Sequence, residues 1–466
     1  MSSRRGFLAQ VGAGVLAGVG RTRAVDAQRP NVLLIFTDDQ RYDTIAALGN
    51  PQIQTPQLDR LAARGTAFTH AFIQGGTSGA VCVASRMMLM TGRWIGHCRE
   101  HLPDEPLWPA TFAAAGYDTW MCGKWHNGAP SLARAFRGGG PVFLGGMGRA
   151  DRLPVTDFAP DGKFAKGRPA EAHATDLFCD ATVDYLRRRP ADKPFFAYCA
   201  LTAPHDPRLA PEAVRNLYDP AKLDLGASFL PEHPFDNGEL RIRDELLAPF
   251  PRTAPAIREH LRDYYACISY LDRGVGRILD ALDASGQADR TLVIFTGDNG
   301  LALGRHGLMG KQNLYDHSVR VPLLIAGPGV AKGARCSALA YLNDLFATTC
   351  AQAGLATPAG VDGASLAPLL RDAGAKVRDS VFLAYRDFMR GVRTERHKLV
   401  LLNVKGTLTT QLFDLREDPW ELRNLAAEQP ARVKELTALL VDWQRRAGDT
   451  LDLSQPDWGR RGGKQA

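Results

Sequence analysis

Short unbroken apolar runs, each closed by polar residues or glycine, alternate along this chain with longer stretches of helical period. "NVLLIFTDD" (31–39) and "TLVIFTGDNG" (291–300) are the clearest runs. Runs of this length without alternation read as strands buried on both faces, the habit of parallel sheets. "KPFFAYCAL" (193–201) and "VPLLIAGP" (321–328) read the same way. Between them, "TPQLDRLAARG" (55–65), "GAVCVASRMMLMTGR" (79–93), "DLFCDATVDYLRRR" (176–189) and "IREHLRDYYACISYLDRGVGRILDALDASG" (257–286) read as helices. "TFAAAGYDTWMCGKWH" (111–126) reads as helix, glycine stop and strand. The alternation predicts an α/β fold, a large mostly parallel sheet flanked by helices.

The pattern changes near Val381. "VFLAYRDFMRGVRTERHKLVLL" (381–402) and "QLFDLREDPWELRNL" (411–425) alternate like short antiparallel strands, and "PARVKELTALLVDWQRRAG" (430–448) closes as a helix. The expected division is a catalytic domain over 30–370 and a smaller C-terminal α+β subdomain over 371–466. The stretch "FLPEHPFDNGELRIRDELLAPFPR" (229–252) is rich in proline and charge and long for a connector. It reads equally as an active-site loop and as a surface excursion.

With 466 residues, 45% hydrophobic and 23% charged, the chain has the make-up of a globular protein. The net charge of +7, from 57 basic and 50 acidic residues, is spread without a lysine tract. No basic stripe marks a nucleic-acid partner. The eight cysteines form no CxxC pair and no zinc spacing, and read mainly as buried free thiols. The first 27 residues stand apart. Arg4 and Arg5, then Phe7 and Leu8, then a Gly/Ala-rich run and "AVDAQ" resemble a twin-arginine export signal cleaved after Ala27. The run is too short and glycine-rich to span a bilayer well. The expectation is a soluble periplasmic or secreted protein, carried by the twin-arginine translocase, with no stable membrane insertion.

Candidate chemistry gathers at the ends of the runs. In open parallel sheets, ligands bind beyond the carboxyl ends of the strands. Asp38-Asp39 and Asp298-Asn299 lie at two such ends. Their oxygen donors suit Ca²⁺ or Mg²⁺ better than zinc. Lys124 and His126 flank Trp125, and in an extended segment they share a face. His205 follows a strand within "TAPHDPR", stiffened by prolines, and suits a general acid. Lys311 sits in a glycine-rich loop after Asp298-Asn299, in reach of a bound oxyanion. His306 and His317 in that loop have no assigned role. Arg208 reads as a surface ion-pairing residue, with contact to a second anionic group of substrate as the alternative. Cys82, at a helix start four residues before Arg86, is a thiolate candidate of the kind used by cysteine hydrolases.

Taken together, these residues resemble the type I sulfatase family of the alkaline-phosphatase-like superfamily. The signature Cys-x-Pro/Ala-x-Arg with a following Thr-Gly-Arg is matched by "CVASR" and "LMTGR", Cys82 to Arg93. "GYDTWMCGKWH" matches the second signature, with Cys122 at a position usually small and aliphatic or serine. "FTDDQ", "TAPHDP", "FTGDNG", "RVPLLIAGPG" and "LFDLREDPWELRNL" fall in the family's order, so the resemblance runs from Asn31 to about Ala426.

The resemblance implies that Cys82 is oxidised to Cα-formylglycine by a maturase and is not used as a thiol. It implies Ca²⁺, with Mg²⁺ as second choice, held by Asp38, Asp39, Asp298, Asn299 and the modified residue 82. It gives Arg86 to the formylglycine hydrate and Lys124 and Lys311 to the sulfate oxygens. His205 would protonate the leaving alcohol with help from Lys311, and His126 would deprotonate the second hydroxyl of the hydrate so that sulfate is expelled. Ala84 stands where proline is commonest, so the maturase implied is one that accepts alanine. The expected function is hydrolysis of a sulfate ester on a sulfated saccharide or small molecule. The alternatives are a phosphodiester or phosphonate-monoester hydrolase of the same superfamily, and a non-catalytic polysaccharide-binding protein with unmodified Cys82.

Overall fold

The computed structural model describes residues 29–455 except 191, together with 458–459. The export-signal reading of residues 1–27 therefore lies outside the described residues. At the centre, five strands run parallel in the order Thr291–Gly297, Asn31–Thr37, Phe195–Ala200, Asp118–Lys124 and Gly138–Phe143. Among the described residues the sheet has eleven strands, with antiparallel additions at both sides. Arg320–Ala326 is one of these, antiparallel to Thr291–Gly297 and to Gly65–Phe72.

Period two decides which side each residue faces. Val32, Leu34 and Phe36 enter one core, while Leu33 and Ile35 enter the other. Both faces are covered, so the whole run is apolar. One core is closed by the long helix Ala254–Ala284 with helices Pro56–Arg64 and Ala174–Arg188. The opposite core includes the helix Val81–Thr91. Every residue of that helix is buried, so none of its faces meets solvent. It stops at Gly92, whose φ of 65° suits glycine and whose N–H bonds the Met88 carbonyl at 2.9 Å.

The strand Gly65–Phe72 was not expected from the sequence. It begins at the residue that closes helix Pro56–Arg64, so no loop signal separates the two. The C-terminal sheet has the order Thr407–Asp414, His397–Val404, Met389–Thr394, Ser380–Tyr385 and Gly75–Gly76. Its last strand comes from far upstream, so this sheet is stitched to the segment that leads into the Val81–Thr91 helix. A side chain at Gly75 would place its Cβ 2.0 Å from the Ala384 carbonyl oxygen. All eight cysteines are free thiols, and seven of them are buried.

A buried ion cluster ties the loop after Asp298 to the C-terminal sheet. Lys398 Nζ lies 2.9 Å from Asp316 Oδ1 and 2.7 Å from Glu421 Oε1, with all three side chains buried. Removing the cation leaves two buried carboxylates facing each other. Lys398→Met should therefore destabilise the fold by about 3–5 kcal/mol, read as a loss of urea-unfolding free energy. An unchanged midpoint would show that Arg393 and Arg320 already neutralise the cluster.

Candidate active site

The register of two strands assembles the centre. Thr37 pairs with Gly297, so the residues that follow each strand emerge side by side. Asp298 N–H donates to the Thr37 carbonyl at 3.1 Å, and Asp39 N–H donates to Asp298 Oδ1 at 2.9 Å. Asp39 adopts φ 66°, a left-handed turn that swings it away from the strand direction. Asp38, Asp39, Asp298 and Asn299 are all buried.

Three cations face this acidic group. Lys124 Nζ is 2.5 Å from Asp38 Oδ2, and Lys311 Nζ is 2.6 Å from Asp39 Oδ1. Arg86 donates through Nε and Nη2 to Asp298 Oδ2 at 3.2 and 3.0 Å, and its Nη2 lies 3.6 Å from Asp38 Oδ2. Its Nη1 donates to the Lys124 carbonyl at 2.8 Å and to Tyr198 Oη at 3.2 Å. Lys124 is positioned by Gly123, which has φ 93° and where a Cβ would fall 1.9 Å from the Ala200 carbonyl oxygen. Burial works to raise the Asp38 pKa, yet Lys124, His205, Arg86 and Lys311 hold it well below the usual range. Asp298 is pushed up to about 7 by burial and by the charge on Asp38.

Cys82 is the second residue of the Val81–Thr91 helix and opens onto this group. Its Sγ is 3.6 Å from Lys124 Nζ and 3.3 Å from His126 Nδ1. Burial raises its pKa in spite of Lys124 and Lys311. Burial thus works against the thiolate reading. The sequence places Arg86 on the same helical face, but its guanidinium is committed to Asp298, Tyr198 and the Lys124 carbonyl, and desolvation outweighs the cations that remain. His126 is likewise pushed down to about 3 by burial, with Lys124 and Arg86 adding to it, and stays a neutral base. Lys124 and His126 do not share a face by strand alternation. The strand ends at Lys124 and His126 turns back with φ 70°, which brings its ring to Cys82. Gly146 covers the far side of that ring, since a Cβ there would meet His126 Nε2 at 2.5 Å.

His205 stands across the group. Its Nδ1–H donates to the Asp206 carbonyl at 2.7 Å, which fixes the tautomer, and Nε2 faces Asp39 Oδ2 at 3.7 Å. Phe143, Met147, Ala203 and Pro207 line a small cavity beside it. Arg208 does not fit the surface ion-pair reading: its guanidinium lies 5.7 Å from the ring centre of Tyr264, and Nε and Nη2 are buried without a hydrogen-bond partner. Two further groups carry no signal in the local sequence pattern. Tyr198, on the neighbouring strand, holds Arg86, and Tyr264, on the long helix, donates to the Asp39 carbonyl at 2.6 Å. Both looked like core aromatics in their elements. His306 and His317 are buried, with His306 stacked on Tyr315 at 4.0 Å.

The donor set suits a hard cation. Asp38 Oδ1 and Asn299 Oδ1 are buried with no hydrogen-bond partner, a costly arrangement unless something positive lies between them. Ligand atoms of Asp38, Asp39 and His205, and those of Asp38, Cys82 and Asp298, form two clusters within 4.8 Å. Asp38, Asp39, Asp298 and Asn299 would hold the ion through oxygen.

A profile of the sulfatase family matches residues 30–355, and one described as N-sulphoglucosamine sulphohydrolase, C-terminal, matches 304–445. This chain belongs to the sulfatase family. It is a sulfuric ester hydrolase of that family. The sulfatase is 27% identical to an N-acetylglucosamine-6-O-sulfatase of Bacteroides thetaiotaomicron, over 93% of this chain and 89% of that one. It is 30% identical to the N-acetylgalactosamine-6-sulfatase of Rattus norvegicus, over 76% of this chain and 68% of that one. In fold it resembles a solved complex with D-glucosamine-2-N,6-O-disulfate, at TM-score 0.77 and 24% identity, covering 92% of this chain and 100% of that one. It also resembles a phosphonate monoester hydrolase of Agrobacterium radiobacter, at TM-score 0.72 and 23% identity, covering 90% and 96%. The fold alone therefore does not separate sulfate from phosphonate chemistry.

Because burial and Asp38 push Asp298 up to about 7, a divalent cation held there would have to displace its proton. Binding should tighten as pH rises through about 7 and weaken below it. Ca²⁺ added to chelator-treated protein at pH 7 should release protons in a pH-stat. Uptake without proton release would show that Asp298 is already ionised.

Proposed function

We propose that this sulfatase removes a sulfate ester from a sulfated carbohydrate, with Cys82 converted to Cα-formylglycine and Ca²⁺ held by Asp38, Asp39, Asp298 and Asn299. Mg²⁺ is the second choice of ion. The observation that carries the reading is the position of Cys82. It lies between the cation Lys124 and the neutral base His126, beside an acidic group in which Asp38 Oδ1 and Asn299 Oδ1 are buried without partners. A buried thiol of raised pKa is a poor nucleophile there, so the geometry makes sense once that atom is replaced by oxygen. Two relatives are named for 6-sulfated amino sugars, which favours a saccharide substrate.

The formylglycine hydrate supplies the attacking hydroxyl and a second hydroxyl for elimination, and the ion supplies positive charge for the oxygens that gather negative charge. The chain's own residues do the rest. Lys124 and Lys311 bring two ammonium groups to the sulfate oxygens, where their charge counts most in the transition state. His205, with Nδ1–H fixed on a carbonyl, keeps Nε2 for the leaving oxygen. His126, neutral and 3.3 Å from the side-chain atom of residue 82, takes the proton whose loss expels sulfate. Arg86 holds Asp298 and, through Nη1, the carbonyl of Lys124, and so braces the frame on which these groups sit.

We further propose that a maturase tolerant of Ala84 modifies Cys82, and that the twin-arginine translocase then carries the protein to the periplasm or beyond. No helix among the described residues is long and apolar enough to cross a membrane.

The test is the mass of the tryptic peptide ending at Arg86, from protein purified from its native host. The expected peptide is lighter than the cysteine form, with one oxygen in place of sulfur and two hydrogens fewer. Cys82→Ala should abolish turnover of a sugar sulfate. Unmodified cysteine in fully active enzyme would overturn the mechanism. Arg208→Ala should lower kcat/KM about equally on a neutral aryl sulfate and on an anionic sugar sulfate, because the guanidinium lies against the Tyr264 ring. Selective loss on the anionic sugar would restore the substrate-binding reading.

A further inference from the structure

The residues assigned to the leaving group come from distant parts of the chain, His205 after one strand and Lys311 in the loop beyond another. One short piece of the 229–252 stretch reaches both. Arg243 forms a two-pronged ion pair with Asp206, with Nη1 3.1 Å from Oδ1 and Nη2 on Oδ2. Asp206 is the residue whose carbonyl fixes the His205 ring. The next two residues turn to the other loop. Asp244 Oδ2 accepts from Gln312 Nε2 at 2.8 Å, and Gln312 Oε1 accepts the Lys311 N–H at 3.0 Å. Glu245 accepts the Met309 and Gly310 N–H groups, each at 2.8 Å, and is itself held by Arg252 Nη2 at 2.6 Å.

Ile242 anchors the start of this piece beside Gly79, three residues ahead of Cys82. A Cβ at Gly79 would fall 2.8 Å from Ile242 Cδ1. Gln312 Nε2 also donates to the Gly79 carbonyl at 2.9 Å. Asp206, Asp244, Glu245, Arg252 and Gln312 are buried, whereas the Arg243 side chain is 44% exposed. A buried carboxylate receiving two backbone N–H groups and a guanidinium is a rigid fixture. Fixtures of this kind hold catalytic groups within the small tolerance that proton transfer allows.

We propose that residues 242–252 are a positioning clamp for the leaving-group side of the site: Arg243 acts through Asp206 on His205, and Asp244 and Glu245 act through Gln312 and the 309–310 amides on Lys311. The contacts of these residues are to protein groups of the two loops, so they act as positioning residues. The proposal rests on the reading of His205 as the acid that protonates the leaving oxygen. Such protonation matters for a basic sugar alkoxide and little for 4-nitrophenolate, which leaves unaided. A loss of clamp should therefore be seen mainly on the poor leaving group, whereas general loosening of the fold would lower both.

The experiment compares kcat/KM on N-acetylglucosamine 6-sulfate and on 4-nitrophenyl sulfate for the wild type, Arg243→Met, Arg243→Lys, Glu245→Gln and His205→Ala. Arg243→Met should lose about tenfold more on the sugar sulfate than on the aryl sulfate, and Arg243→Lys should recover part of that gap. Glu245→Gln should open a gap in the same direction and raise amide hydrogen exchange over Met309–Gln312, because the amide nitrogen of glutamine accepts no N–H. His205→Ala is the benchmark. If it discriminates between the two esters and Arg243→Met does not, the clamp is wrong and the acid assignment stands. If His205→Ala lowers both equally, the acid assignment falls and the clamp falls with it.

Discussion

Everything in this molecule is arranged around four acidic or amide side chains forced together at the ends of two adjacent parallel strands. Like charges brought out of water repel and lose hydration. The fold answers with Arg86, Lys124 and Lys311, each buried and each within 3.0 Å of a carboxylate oxygen. The compensation is incomplete. Asp298 is pushed up near neutrality, and two oxygens face inward without a partner. The three cations match the three carboxylates in number, so it is the unpartnered oxygens of Asp38 and Asn299, not surplus charge, that a further cation would meet. The same three basic groups are then in place to meet an anionic ester.

The cost of this frame is spread across both sheets. Arg86 is carried by a helix with no exposed face, which needs cover on every side. That cover comes in part from the C-terminal sheet, whose last strand is Gly75–Gly76, just before the helix. Lys398 in the same sheet neutralises Asp316, a few residues after Lys311. The smaller sheet is thus part of the structural support of the site. The stretch 229–252, read from sequence as either an active-site loop or a surface excursion, lies against the loops of His205 and Lys311. Two of its charges bond those loops: Arg243 on Asp206, and Glu245 on the Met309 and Gly310 amides.

The neighbours of residue 82 decide how its chemistry is read. A cysteine at a helix start near an arginine suggests an activated thiolate. In the structure the arginine is committed to Asp298, and burial raises the thiol's pKa. What remains of the position is its closeness to a cation, Lys124, and a proton acceptor, His126.

The sequence by itself determined the strands, because a strand buried on both faces must be apolar throughout, as in "NVLLIFTDD" and "TLVIFTGDNG". It also determined which residue types sit at strand ends and, through seven ordered motifs, the family. It did not reveal the strand Gly65–Phe72, which follows a helix without a turn, nor the antiparallel sense of Arg320–Ala326, because an apolar run carries no direction. Which side chains meet was decided only by the tertiary structure. The register Thr37 to Gly297 puts two acidic pairs together, the left-handed turn at His126 brings its ring to Cys82, and Tyr198 and Tyr264 join the site from positions that read as core. These are contacts between residues far apart along the chain, set by packing and register, and local pattern holds no record of them.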